Sequence, residues 1–366
     1  MAKTLEQVLG YVYLCGIVED VKTGIPDVLP PKFWANKKGT LGDQGRYTRY
    51  AGTRQTARRV EYGAPSMRRA LSAVGVFDIK LMHFFEHLTL DVKLYQSLRG
   101  YDNYQPQNFG QQEVDRQAVQ FRRLFDNTRL SALYSMFALG YIYFDGNGNL
   151  LPTSSGAVVT VDYGIAAANR TTLLDVASAT IITASWATAS TDIPLHIRKI
   201  KETSVRRTGH PLKYALYGRN IPTYFASNTQ VKEFFYRNPR MQDHFLTTGE
   251  LPDGLFGLSW IPVQEGAFFS DQDATIQNWW DADQVTFIPE PEEMLFHWME
   301  GTYPVPTSFQ PMASLQAAKE SFELKQGMFA YGVPTSNPMT AELHHGDTFL
   351  PVWTTPDAMF IADTTP

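Results

Sequence analysis

Between Gln111 and Gly140 the apolar and polar positions of this chain are sorted most regularly. From Val114, apolar or tolerant residues recur at Ala118, Phe121, Phe125, Thr128, Ala132, Met136 and Leu139. Steps of four and three draw one stripe down a helix and leave Glu113, Asp115, Arg122 and Arg123 off it. At ~1.5 Å per residue such a helix is roughly 45 Å long. A compact chain of this length has a radius of gyration of about 21 Å, so the helix crosses nearly all of it. Gly140 stops it at a C′-type position. Beyond it, Tyr141 to Phe144 and Ala157 to Val161 flank an Asp-Gly-Asn-Gly-Asn run at 145–149 and predict a hairpin along the helix. A long spine with a sheet against it, and little sign of a pocket, points to scaffolding rather than catalysis.

Other stretches are shorter. Leu5, Val8, Val12 and Cys15 predict a short helix over Thr4 to Leu14, and Pro26, Pro30 and Pro31 force an extended path to Phe33 and Trp34. Gly45 to Tyr50 and Ala57 to Tyr62 are strand-like, glycine-punctuated and poor in hydrophobics. They predict a long two-stranded loop that projects from the body and is ordered by a partner, because an isolated hairpin is marginal in water. Val76 to Leu98 is mixed and strongly apolar. Asp192 before Ile193 and Pro194 predicts a capped helix to about Arg207. His210 to Gly218 reads as a strand and Ile221 to Tyr236 as a helix. Further strands are expected at Leu258–Val263, Val285–Ile288, Met294–Met299, Phe329–Val333 and Met359–Ala362. The alternation makes Thr191 to about Gln310 a separate α/β or α+β subdomain.

The 366 residues, 43% hydrophobic and 13% aromatic, are ample for a core in two or more subdomains. No apolar run approaches the ~18 residues of a membrane span, and the N-terminus lacks the pattern of a secretory signal. Cys15 is the single cysteine, which excludes intrachain disulfides and cysteine-based zinc clusters. Charge changes the picture more. The net charge is −5, yet from Asn36 to Ala70 nine basic residues (Lys37, Lys38, Arg46, Arg49, Arg54, Arg58, Arg59, Arg68 and Arg69) face Asp43 and Glu61, a balance of +7. From Met241 onward two lysines face eighteen acids, a balance of −16. Such asymmetry suits a nucleic-acid-binding arm over 46–69, with Tyr47, Tyr50 and Tyr62 to stack on bases. It suits equally a basic loop lying on the acidic body of the next copy, which the acidic balance of the whole chain favours.

Three runs offer chemistry. His83, Glu86 and His87 fit H-x-x-E-H, which on a helix would let two histidines share zinc with Glu86 as the general base of a hydrolase. No convincing third ligand follows, and the flanking Leu81, Met82, Phe84, Phe85 and Leu88 favour packed or interface histidines. The run at 145–149 alternates oxygen ligands like a calcium loop, but Leu150 replaces the needed glycine and Gly156 the glutamate, so a turn is expected. Asp271, Asp273, Asp281 and Asp283 are expected to be solvated loop charges. There is no phosphate loop, no G-x-G-x-x-G and no nucleophile elbow. No enzyme activity, cofactor or metal is implied.

The order of parts resembles the phage lambda-like major capsid protein E family of tailed bacteriophages, whose α+β fold is HK97-like (Hong Kong 97-type). The resemblance is carried by the helix 111–140 running into Tyr141–Gly148, by 209–218, and by Ser259–Val263, Asp283–Pro289 and Thr355–Ala362. It implies an N-terminal arm at 1–35, an extended β-hairpin loop (E-loop) at 36–75, and a peripheral domain at 76–190 holding the spine helix and a hairpin at 141–164. An axial domain at 191–310 and a return to the peripheral domain at 311–366 complete it. The implied function is a major capsid protein whose hexamers and pentamers close into an icosahedral shell around double-stranded DNA, assembled in the host bacterial cytoplasm. Arg46, Arg49, Arg54, Arg58, Arg59, Arg68 and Arg69 would then be intersubunit contacts. Implied partners are further copies of itself, scaffolding, portal and decoration proteins, and packaged DNA bound without sequence specificity; no membrane is involved. With no long extension before the arm, a separate scaffolding protein is expected.

Overall fold

The computed structural model describes residues 11–20, 29–50, 74–90, 104–146, 148–263, 268–269, 276–306, 322–336 and 339–366. Helix α1 (Tyr11–Asp20) overlaps the end of the helix expected over Thr4 to Leu14, and the rest of that expectation, residues 4–10, lies outside the described residues. A single turn, α2 (Lys32–Ala35), interrupts the expected extended path, because Pro31 holds φ at −54° in the helical region. That turn drives Phe33 into the core against Phe137, Tyr214 and Phe296 at 5.7–5.9 Å. Strands β1 (Lys37–Thr40), β2 (Gln44–Tyr50), β3 (Val74–Lys80) and β4 (Met82–Thr89) follow. The partner of β2 is β3, from Gln44↔Lys80 to Tyr50↔Val74; Ala57 to Tyr62 lies outside the described residues.

The spine is α3 (Tyr104–Leu139), 36 residues long and so ~54 Å. It starts before Gln111, where the apolar stripe that marks helices in sequence has not yet begun. Gly140 ends it with φ +67°, and a Cβ there would lie 2.6 Å from Ile165, so both conformation and space require glycine. The last carbonyls of a helix lack intrahelical partners. Here Phe137, Ala138 and Leu139 accept from Thr286 Oγ1, Gln284 Nε2 and Arg170 Nη1. The predicted hairpin is a three-stranded antiparallel sheet, β5 (Tyr141–Phe144) between β6 (Leu150–Leu151) and β7 (Val159–Asp162). Its turn is closed by Asp145, which accepts from the backbone and side chain of Asn149.

After β8 (Arg170–Thr171) comes α4 (Ile193–Thr208), capped by Asp192 accepting from Leu195 N–H and stopped by Gly209 at φ 81°. Strand β9 (Leu212–Tyr217) leads to α5 (Ile221–Ser227), α6 (Thr229–Arg237) and α7 (Pro239–Thr248). The single helix expected over Ile221–Tyr236 is thus two. Asn228 is fully buried at the break; it accepts from Gln230 and Val231 N–H and donates to Thr191 O. Strands β10 (Ser259–Pro262), β11 (Phe268–Phe269), β12 (Ile276–Gln277), β13 (Gln284–Pro289), β14 (Phe296–Pro306), β15 (Phe322–Gln326), β16 (Phe329–Ser336), β17 (Met339–Trp353) and β18 (Phe360–Asp363) complete the described chain. No helix among the described residues is long and apolar enough to cross a membrane.

A five-stranded sheet runs β10-β9-β13-β18-β8 and is buried on both faces. Alternate residues therefore serve different cores. Ala215, Tyr217, Val285, Phe287, Phe360 and Ala362 pack with α4, α5 and α6, while Tyr214, Leu216, Ile288 and Ile361 join the end of α3. A six-stranded sheet runs β1-β14-β17-β16, with β15 also paired to β14 and β4 to β17. One face of it lies on α3. Sheet membership does not follow the boundary expected near 310. Strand β14 belongs to the six-stranded sheet, and the closing strand β18 joins the five-stranded one.

Candidate intersubunit surfaces

The charged loop is rooted in the body by β1. Lys37 Nζ lies 3.1 Å from Glu300 and Lys38 Nζ 3.9 Å from Glu293. Glu300 in turn belongs to a buried ion cluster on the spine. Arg129 of α3 donates to both carboxylate oxygens of Asp347 at 2.7 Å and to Glu300 at 2.8 Å, with all three side chains at most 6% exposed. Burial disfavours the Arg129 charge, but the two carboxylates outweigh it and hold its pKa above the usual value. Burial pushes Glu300 up, yet Arg129 and Lys37 more than offset that and leave it below the usual carboxylate range. Asp347, with no exposure, stays above that range because burial outweighs Arg129. A spine helix, the central sheet strands and the loop root are thus tied by one charge cluster.

Beyond the root, β2 and β3 form a ribbon with little core of its own. Arg46 pairs with Asp78 across it, both about 71% exposed, an arrangement worth little in stability. Arg49 is held differently. Its guanidinium sits 4.1 Å over the Phe77 ring and donates to Tyr47 Oη and to Asp162 O of β7. Val76 and Phe77 remain 59% and 39% exposed. Of the arginines predicted as contacts, Arg46 and Arg49 therefore share this ribbon, Arg49 anchoring it to its own body. Arg54, Arg58, Arg59, Arg68 and Arg69 lie outside the described residues.

The H-x-x-E-H run is strand β4, not a helix, and this overturns the zinc geometry. Along a strand His83 and His87 are ~13 Å apart on one face, with Glu86 on the other. His83 Nδ1 meets Thr348 Oγ1 at 2.7 Å, and the His87 ring stacks on His344 at 5.5 Å. Among the described residues no three His, Cys, Asp or Glu are placed to hold a metal. Asp283 is no free loop charge either, since it accepts from Asn220 Nδ2 and Tyr224 Oη; Asp271 and Asp273 lie outside the described residues.

Sequence reasoning missed Arg129 and its carboxylates. The signal was its place four residues after Phe125 and three before Ala132, on the buried stripe itself. Also missed was a band of rings on the face of the six-stranded sheet turned away from α3. Tyr303 and Phe329 stack at 4.4 Å, Tyr331 and His344 at 5.1 Å, and His83 lies 5.2 Å from Tyr303. Burial lowers the His83 and His344 pKa values, so at neutral pH the band carries rings rather than imidazolium charge.

A sequence profile of the family described as phage major capsid protein E matches residues 47–364. Comparison with curated protein sequences finds no match. Among solved structures, the chain is similar to a prophage protein of E. coli CFT073 assigned as a capsid protein. The TM-score is 0.58 at 10% identity, covering 97% of this chain and 99% of that one. A phage-related protein of Bordetella bronchiseptica RB50 gives a TM-score of 0.50 at 9% identity over 97% of both chains. At these identities the structural likeness establishes the architecture, an HK97-like capsid fold, and the profile match establishes the family. The chain belongs to the phage major capsid protein E family, a structural protein that associates with further copies of itself to form the capsid shell of the virion.

Proposed function

We propose that this chain assembles as hexameric and pentameric rings that close into an icosahedral shell around double-stranded DNA, in the cytoplasm of the host bacterium. Residues 1–35 act as the arm and 36–75 as the extended loop lying on a neighbouring copy. The spine and its sheets form the periphery of each subunit, and the unit built mainly from 191–310 surrounds the ring axis. Scaffolding, portal and decoration proteins are the expected further partners, and DNA meets the inner face without sequence specificity.

One observation supports the role of the loop above others. The β2–β3 ribbon leaves Val76 and Phe77 exposed, and it leads into the chain's most basic stretch. A two-stranded ribbon gains little by exposing apolar side chains to water, whereas a neighbour's acidic surface would cover them. The opposite charge of the chain from Met241 onward would steer and register that encounter. Heterologous contacts between identical subunits close into rings, and many modest contacts acting together suffice for a shell. The test is to replace Arg54, Arg58 and Arg59 together by Glu. Folded monomers that no longer assemble are expected; normal shells from the variant would refute the loop's role.

A further inference from the structure

The buried ion cluster on the spine does not balance by itself. Arg129 brings one positive charge, and Glu300 and Asp347 bring two negative ones. The fourth charge comes from the loop root. Glu300 Oε1, which accepts from Arg129 at 2.8 Å, also lies 3.1 Å from Lys37 Nζ on β1. The Lys37 side chain is 51% exposed, whereas the other three are shut away from water. A buried carboxylate left without a counter-charge is costly and takes up a proton instead. Burial already holds Asp347 above the usual carboxylate range, and the Glu300 charge adds to the push. Glu300 is kept below that range by Arg129 and Lys37 together, against its own burial.

The strand that carries Lys37 is lightly held. None of the four residues of β1 is buried, and among the described residues the strand pairs with β14 alone. Segments with so little buried area open locally at low cost. Other groups stand around the cluster. Arg122 and Asp126 lie on α3, His345 on β17, and its register partner Glu86 on β4. Gln326 of β15 donates to Glu300 Oε2 at 3.5 Å. The charge of Asp347 also reaches His83 on β4, and His297 of β14 feels Lys38.

We propose that Lys37 is a clasp between the loop root and the spine, and that its release is linked to proton uptake: when β1 lifts from β14, the Glu300–Asp347 pair binds one proton. That proton belongs to the coupled pair rather than to either carboxylate. The lifted state binds more protons than the clasped one, so it gains as pH falls. The root strand is held at neutral pH and loosened in acid. This is a property of the single subunit, so it stands or falls independently of where the loop docks.

The test is hydrogen–deuterium exchange of the full chain from pH 8 to pH 5, corrected for intrinsic exchange. Mass spectrometry reads peptides that span β1 and the facing end of β14. In the wild type the opening constant of β1 is expected to rise as pH falls, by up to about tenfold per pH unit, the slope of one linked proton. In Lys37→Met the strand is expected to be open already at pH 8 and to show no such slope, with Lys37→Arg restoring it. Lys38→Met removes only the exposed pair with Glu293 at 3.9 Å and is expected to keep the wild-type slope. A wild-type opening constant indifferent to pH would overturn the linkage, and that result needs no variant to fold. A slope that persists in Lys37→Met would overturn it too, assigning the titration to His297 or another group. An equal loss of slope in Lys38→Met would overturn the assignment to Lys37.

Discussion

Arg129 shows how much a single side chain can hold in this molecule. Its Nε, Nη1 and Nη2 donate to carboxylates 171 and 218 residues away in sequence, linking the spine to two strands that otherwise meet it through apolar packing. Replacing it by Met leaves Asp347 and Glu300 buried without their partner, which typically costs about 3–5 kcal/mol. Urea unfolding of Arg129→Met is expected to show a loss of that size; a loss below about 1 kcal/mol would contradict the cluster's role. A second residue-scale effect concerns pH. Burial pushes His297 and His345 down to about 4 from an ordinary 6.5. Between those values the unfolded chain binds protons that the folded chain does not, so stability falls as pH drops from about 6.5 to 4, by about 3 kcal/mol for each histidine at most. Unfolding midpoints measured from pH 7 to pH 4.5 are expected to fall, and less steeply in His345→Phe. A flat profile would argue against buried neutral histidines. None of this was legible beforehand. A periodic stripe tells which way Arg129 faces, but not which distant carboxylates will meet it.

At the scale of elements the sequence was more informative, for a physical reason. The spine, its glycine stop, the 145–149 turn and the Asp192 cap are all local signals written within a few residues, and each is present in the structure. The errors are instructive. Ile221–Tyr236 has continuous helical periodicity, yet Asn228 breaks it by taking the N–H groups of Gln230 and Val231 onto its own side chain. Side-chain capping competes with the helical backbone and is invisible to hydrophobic spacing. Asn228→Ala removes the cap and the side-chain donor to Thr191 O, which keeps only Ile193 N–H, so a loss of about 1–2 kcal/mol is expected. Thermal denaturation within a few tenths of wild type would show that the break is made by something else. The H-x-x-E-H run failed in the opposite way. Its histidines were read on a helical pitch, and strand geometry spreads them too far for one metal ion.

For the whole molecule, strand order along the chain did not disclose sheet order. The closing strand joins the five-stranded sheet, and the root strand β1 joins β14 some 260 residues later in the chain. Such pairings depend on which buried faces must be covered, not on adjacency. The charge asymmetry, by contrast, is read from sequence alone; at the root of the loop Lys37 and Lys38 already meet Glu300 and Glu293 of the acidic half, while Arg46 lies on the exposed ribbon beside Asp78. If opposite charges steer assembly, its rate should fall steeply as ionic strength rises from about 0.05 to 0.5 M, where the screening length contracts below about 5 Å. Light scattering at constant protein concentration would record this, and a rate indifferent to salt would leave apolar contacts as the main drive. The most direct measurement is negative-stain electron microscopy with light scattering on the purified wild-type chain, alone and with a candidate scaffolding protein, beside the Arg54, Arg58, Arg59→Glu variant. Shells, tubes or hexamer and pentamer rings from the wild type and folded monomers from the variant are expected. Uniform monomers or small dimers from the wild type under every condition, or normal shells from the variant, would contradict assembly through the basic loop.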